Sequence, residues 1–258
     1  MTWFTRQFAT TLALLLGTIA FFELTDADLL VQDLLFNFDT GLWLLDKEEP
    51  ISRLLFYSGI RNVYGLAALC LIGTLVFFRK IPRIRENWHG LLIVCLSLIL
   101  VPLIINLIKA VSNVPCPGDL ELYGGDYPHV TLFTAYPEGF VQEYNIRCYP
   151  AGHASGGFAL LSLFFLFRTP RARRRAVITA MVVAWTAGLY KMIIGDHFLS
   201  HTLVTMFLAW LLILSIARAV DPRAVAQLGR IKPAEPSATT HRHDSVWSGA
   251  AIDPKDML

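Results

Sequence analysis

The sequence predicts an all-α, polytopic membrane protein with six transmembrane helices, and three observations carry that expectation. Of 258 residues, 55% are hydrophobic and 16% charged, against roughly 45–50% and about 25% in soluble domains. The apolar residues are gathered into six continuous runs. The basic residues are gathered on alternate connections between those runs.

A helix needs roughly 20 mostly apolar residues to cross a hydrocarbon core about 30 Å thick. The runs fall at about 8–23, 58–78, 89–110, 154–168, 176–195 and 200–218. They are rich in Leu and Ala and lack the strict alternation of a membrane β-barrel. The third, WHGLLIVCLSLILVPLIINLIKAV, is the clearest, and the fourth is short. The first has one Arg before it and only a weak small-residue site at Thr18-Ile19-Ala20, so it reads as an uncleaved span rather than a signal peptide.

Lys and Arg cluster between runs two and three (Arg79, Lys80, Arg83, Arg85) and between runs four and five (Arg168, Arg171, Arg173, Arg174, Arg175). The C-terminal tail and Arg6 add most of the rest of the 22 basic residues. The positive-inside rule makes this side cytoplasmic, with both termini inside. The opposite connections are acidic, residues 23–49 above all. A net charge of +2 with no basic stripe excludes nucleic acid as a partner.

Residues 1–57 thus hold the first span and an outer segment, 58–219 a transmembrane core, and 220–258 a cytoplasmic tail. Segment 26–45, DADLLVQDLLFNFDTGLWLL, has apolar residues at helical spacing with acids between. It fits either a helix on the outer membrane surface or a loop packed on the spans, and the sequence leaves both open. The tail is polar, contains Pro and shows no periodicity, so it reads as disordered, with His241 and His243 solvated.

Of the four cysteines, Cys70 and Cys95 fall inside spans and read as small core residues. Cys116 and Cys148 share the outer loop after span three. In an oxidising space they can form a disulfide. It would close a loop of roughly 30 residues, worth on the order of 3 kcal/mol in the chain-entropy model.

An ionisable group in a span costs a few kcal/mol or more and usually marks function. Lys109, His153, Lys191, His197 and His201 all fall at the outer ends of their helices. Lysines bind phosphate dianions as point charges. Pro150-Ala151-Gly152-His153-Ala154-Ser155 leads into a helix whose first-turn N–H groups, Ala154 among them, make an anion site, and Gly152 permits close approach. One histidine can attack phosphorus and a second can protonate the leaving oxygen. The pattern suggests phosphoryl transfer with no required metal or cofactor.

At these residues the sequence resembles the type 2 phosphatidic acid phosphatase family. That family carries K-x6-R-P, P-S-G-H and S-R-x5-H-x3-D. The corresponding stretches are Lys109-AVSNVP-Cys116-Pro117, Pro150-Ala151-Gly152-His153 and Tyr190-Lys191-MIIGD-His197-FLS-His201. Order and internal spacing match, over roughly residues 58–218. The resemblance implies a phosphatase-like transmembrane core, with His197 as nucleophile, His153 as the acid for the leaving group, and Lys109 and Lys191 holding phosphate together with backbone N–H groups after Gly152.

Five positions depart from the family pattern, among them Tyr190, which stands at the serine of the third motif. Cys116 and Ala151 replace an arginine and a serine. Lys191 replaces an arginine and loses its bidentate fork. His201 replaces the aspartate that orients the nucleophile, and as a neutral ring it could still accept a hydrogen bond from His197. Arg147, beside Cys148, is a candidate for the missing guanidinium.

The expectation is therefore an integral membrane phosphatase, placed in the inner membrane of a bacterium. It dephosphorylates a lipid phosphate or diphosphate at the periplasmic face through a phosphohistidine. The alternatives are a lipid phosphotransferase on the same site, or a metal-binding or transport protein in which His197 and His201 share a ligand with His153.

Overall fold

A computed structural model describes residues 1–52, 54, 59–142 and 144–228. The described residues are mostly helical, and the order of the long helices is that of the apolar runs. Helix α1 spans Trp3–Leu24, opened by the Thr2 hydroxyl accepting from the Thr5 N–H. A small cap follows. It comprises α2 (Ala27–Asp33), a hairpin of β1 (Phe36–Asn37) and β2 (Leu42–Trp43), and a turn of helix α3 (Pro50–Ser52). In the antiparallel hairpin Phe36 faces Trp43 and Asn37 faces Leu42.

The core then comprises α4 (Ile60–Phe77), α5 (Pro82–Glu86), α6 (Trp88–Ser112), α7 (Gly152–Ala159), α8 (Leu163–Leu166), α9 (Pro170–Ile193) and α10 (Leu199–Val220). Four of the described helices, α1, α6, α9 and α10, are long and apolar enough to cross a membrane. The runs expected as spans two and four form shorter apolar helices, Tyr64–Phe77 and Gly152–Leu166. Among the described residues, then, four helices are of spanning length and two are shorter. The second of these short stretches is broken by a 3₁₀ turn at Leu160–Ser162 between α7 and α8.

Tight crossings depend on residues without bulk. A methyl group on Gly157 of α7 would come within 2.5 Å of the Ala184 Cα of α9, and one on Gly188 within 2.6 Å of Thr202 Cγ2 of α10. Ala180, Ala184 and Gly188 recur every fourth residue on α9, the small-residue spacing that lets helix backbones approach. Phe158, Ile105, Val101 and Ile213 fill the shared core. Outward, Leu14, Leu66, Leu69, Leu103, Ile178 and Val182 are exposed, as a belt facing lipid requires. Cys95 is buried as expected, but Cys70 lies on this outward side and is exposed.

Segment 26–45 packs on the helix ends. Phe36 and Trp43 pack with Leu120, Tyr123 and Phe198. Gln32 donates from Nε2 to the Met192 carbonyl at 2.8 Å. Helix α11 (Pro222–Gln227) continues from α10, with Val225 buried against Ile93, Ile216 and Ala217. The tail expected to be disordered from residue 220 thus begins with an ordered turn. The remainder, including His241 and His243, lies outside the described residues.

Candidate active site

The helix ends meet at one level. Lys109 sits in the last turn of α6, His153 in the first turn of α7, Lys191 in the last turn of α9, and His201 in the first turn of α10. His197 lies on the connection between α9 and α10. That connection is a tight turn: the Asp196 and His197 N–H groups both return to the Lys191 carbonyl, at 2.8 and 3.1 Å. Gly195 allows it with φ +76°, and a methyl group there would strike the Trp43 ring of the cap.

The structure brings five of the expected residues together. The His197 ring lies 6.0 Å from His153 and 5.7 Å from His201, centre to centre. Lys109 and Lys191 are its charged neighbours. His197 is buried, and its Nε2 has no hydrogen-bond partner among the described residues. Burial, reinforced by His201, Lys109, His153 and Lys191, holds the His197 imidazole well below the usual histidine range. A desolvated ring surrounded by cationic groups stays neutral, which leaves a lone pair for attack.

The phosphate side is equally compact. A methyl group on Gly152 would sit 3.1 Å from Asn106 Oδ1 and 3.8 Å from Lys109 Nζ. The amine of α6 therefore reaches the N-terminus of α7. That terminus starts at Ala151, whose side chain cannot cap it, so first-turn N–H groups at Gly152 and Ala154 are positioned for an anion. Ala154 is fully buried. Lys191 is buried and paired with Asp196 at 2.5 Å.

Two expected relationships differ from the sequence reading. His201 makes no hydrogen bond with His197. Its ring meets Tyr149 and Phe198 edge-on, 5.1 and 5.3 Å away, and its centre lies 5.7 Å from that of His197. Arg147 is exposed between buried Ile146 and Cys148.

Cys116 and Cys148 are joined in a disulfide across 32 residues. It brings the Cys148 sulfur to 2.9 Å from the Asp196 carbonyl oxygen and 3.4 Å from His197 Nδ1. Three further contributors lay beyond the motif reading. Asn106 is one turn before Lys109 on the same face, a spacing that could have marked it. Asp28 accepts from the Ser200 N–H at 2.9 Å and so caps α10 from the distant α2. Trp43 covers Gly195. No local signal could have found the last two.

The model of a family described as the PAP2 superfamily matches residues 90–224, which include every helix end of this cluster. No curated protein and no solved structure matches the chain.

Proposed function

The chain belongs to the PAP2 superfamily, and from that premise we propose that it is an integral membrane phosphatase acting on a lipid phosphate or diphosphate through a phosphohistidine on His197. Family membership implies phosphatase-type chemistry, and the apolar helices suggest a membrane protein. The observation that carries the finer reading is the convergence of His153 and His197 with Lys109 and Lys191 at one end of the helices.

In this reading the phosphate rests between Lys109, Lys191 and the first-turn N–H groups of α7, at Gly152 and Ala154. His197 Nε2 attacks phosphorus in line and forms an N–P bond while the P–O bond to the lipid breaks. His153 gives its proton to the departing lipid oxygen. Water, deprotonated by His153, then cleaves the phosphohistidine and releases inorganic phosphate. The charge asymmetry of the connections supports both termini in the cytoplasm and the site facing the periplasm of a bacterial inner membrane. The short α7–α8 stretch beside the site offers a lipid a lateral entry.

The test is phosphate release from a panel of lipid monophosphates and diphosphates in detergent, with wild type and His197→Ala, with and without EDTA. The reading requires turnover that survives EDTA and is lost in His197→Ala. Equal release by both proteins would overturn it. Transfer of the phosphoryl group to a second lipid, with no release to water, would replace hydrolysis by phosphotransfer on the same residues.

A further inference from the structure

Three buried donor atoms from two stretches of the chain meet at His197. One each from Cys148, His197 and His201 lie within 4.8 Å of one another. All three residues are at most 2% exposed. His201 Nδ1 is buried and has no hydrogen-bond partner among the described residues.

Zinc bound to imidazole nitrogen at about 2.0–2.1 Å and to thiolate sulfur at about 2.3 Å sets tetrahedral donors roughly 3.3–3.6 Å apart. The Cys148 sulfur and His197 Nδ1 are already 3.4 Å apart. The widest separation needs to close by little more than an ångström. Zinc takes both histidine nitrogen and cysteine sulfur, and a site with three protein ligands leaves the fourth position to water.

What stands against a metal is the bridge. A disulfide sulfur has spent its valence on carbon and sulfur and carries no negative charge. We propose that opening the Cys116–Cys148 disulfide creates a zinc site from Cys148, His197 and His201, and that zinc bound there switches off His197.

The opening step is thiol–disulfide exchange. Cys116 is half-buried and Cys148 fully buried, so a small dithiol attacks at Cys116. Its thiolate bonds to the Cys116 sulfur, the bridge bond breaks, and Cys148 leaves as a thiolate. The second thiol of the reagent resolves the mixed disulfide. Cys116 is freed, the reagent ends as a cyclic disulfide, and two electrons have passed to the protein. Zinc then occupies the position a proton would take on Cys148. Bound through Nδ1 of His197, it draws electron density from the ring and leaves Nε2 a poorer nucleophile.

The test titrates full-length protein in detergent with zinc against a chromophoric chelator. Cys116→Ser and Cys148→Ser lose the bridge equally, but only Cys116→Ser keeps the ligand. Cys116→Ser is expected to bind one zinc per chain. Cys148→Ser, the double variant Cys116→Ser/His201→Ala and the bridged wild type are expected to bind at least about a hundredfold more weakly. Should Cys116→Ser not fold, wild type opened with dithiol and freed of reagent takes its place, with an alkylated sample as its control. Equal affinity in Cys116→Ser and Cys148→Ser, or in the opened and alkylated proteins, overturns the site.

The inhibition arm rests on the phosphatase reading. One equivalent of zinc is expected to cut phosphate release by Cys116→Ser at least about tenfold, with recovery in EDTA. Zinc bound without that loss overturns the switch. Zinc binding in a protein that releases no phosphate in any form overturns the phosphatase reading and leaves the site standing.

Discussion

Nδ1 of His197 faces the sulfur of Cys148 at 3.4 Å, not the ring of His201. The atom in the orienting position is therefore uncharged and a weak hydrogen-bond acceptor. A carboxylate there would raise the basicity of the ring, and this sulfur does not. Burial and the surrounding cationic groups act unopposed, and His197 stays neutral to unusually low pH.

The pH profile follows from that. In kcat/KM, which reports the free enzyme, loss of activity from protonating His197 is expected only well below the usual histidine value of 6.5. The measurement is kcat/KM from pH 4 to 8 with a substrate whose own phosphate titration is corrected for. An acid limb at 6.5 or above contradicts the buried, cation-surrounded ring.

Asp196 is paired with Lys191. A carboxylate there competes with a phosphate dianion for the same amine and repels it. Asp196→Asn is therefore expected to lower the inhibition constant of inorganic phosphate severalfold, by roughly 1 kcal/mol. The same change leaves a buried lysine without this carboxylate and lowers the Tm. Phosphate inhibition that weakens in Asp196→Asn would show that Asp196 helps to hold the phosphate.

Gly152 tests the close approach of α6 and α7. A methyl group there would press on Asn106 Oδ1 at 3.1 Å and rest on the Lys109 side chain. Gly152→Ala is expected to displace both by a few tenths of an ångström and reduce kcat/KM by about tenfold, because small misplacements at a reacting centre are costly. A Tm near that of wild type should accompany the loss. Unchanged kinetics would remove Lys109 from the phosphate cradle.

Asp28 carries a stability prediction with a definite sign. Burial raises its carboxyl to about 6 from an ordinary 3.8, against the pull of its bonds to Ser200. A raised acid favours folding below the ordinary value, and that contribution is lost as pH climbs toward 6. Ionisation costs the fold on the order of 3 kcal/mol. Asn at this position still accepts from the Ser200 N–H and cannot ionise. The Tm of Asp28→Asn minus that of wild type is therefore expected to widen by roughly 5–10 °C between pH 4 and pH 8. A constant difference would mean that Asp28 ionises freely.

The helices and the motif residues could be read in the sequence because their signals are local. Apolar runs marked α1, α6, α9 and α10, and Lys109, Lys191, His153, His197 and His201 stood out as polar groups in apolar surroundings. The break between α7 and α8 was legible only as an unusually short run. Long-range contacts were not legible. Nothing in DADLLVQD shows that Asp28 caps α10 or that Gln32 reaches Met192, because such docking depends on folded helices meeting 160 residues or more apart in sequence. The pairing of His197 with a disulfide sulfur was hidden for the same reason. The motif spacing pointed to His201, but the rings of Tyr149 and Phe198 hold His201 in another orientation.

The central claim is that His197 carries the phosphoryl group. Its most direct measurement is rapid acid-free quenching of wild-type turnover with substrate labelled in its phosphate, followed by peptide mapping. The account predicts a base-stable, acid-labile label on His197 that forms and decays at the rate of turnover and is absent in His197→Ala. Steady phosphate release with no labelled histidine, or with the label on another residue, would contradict it.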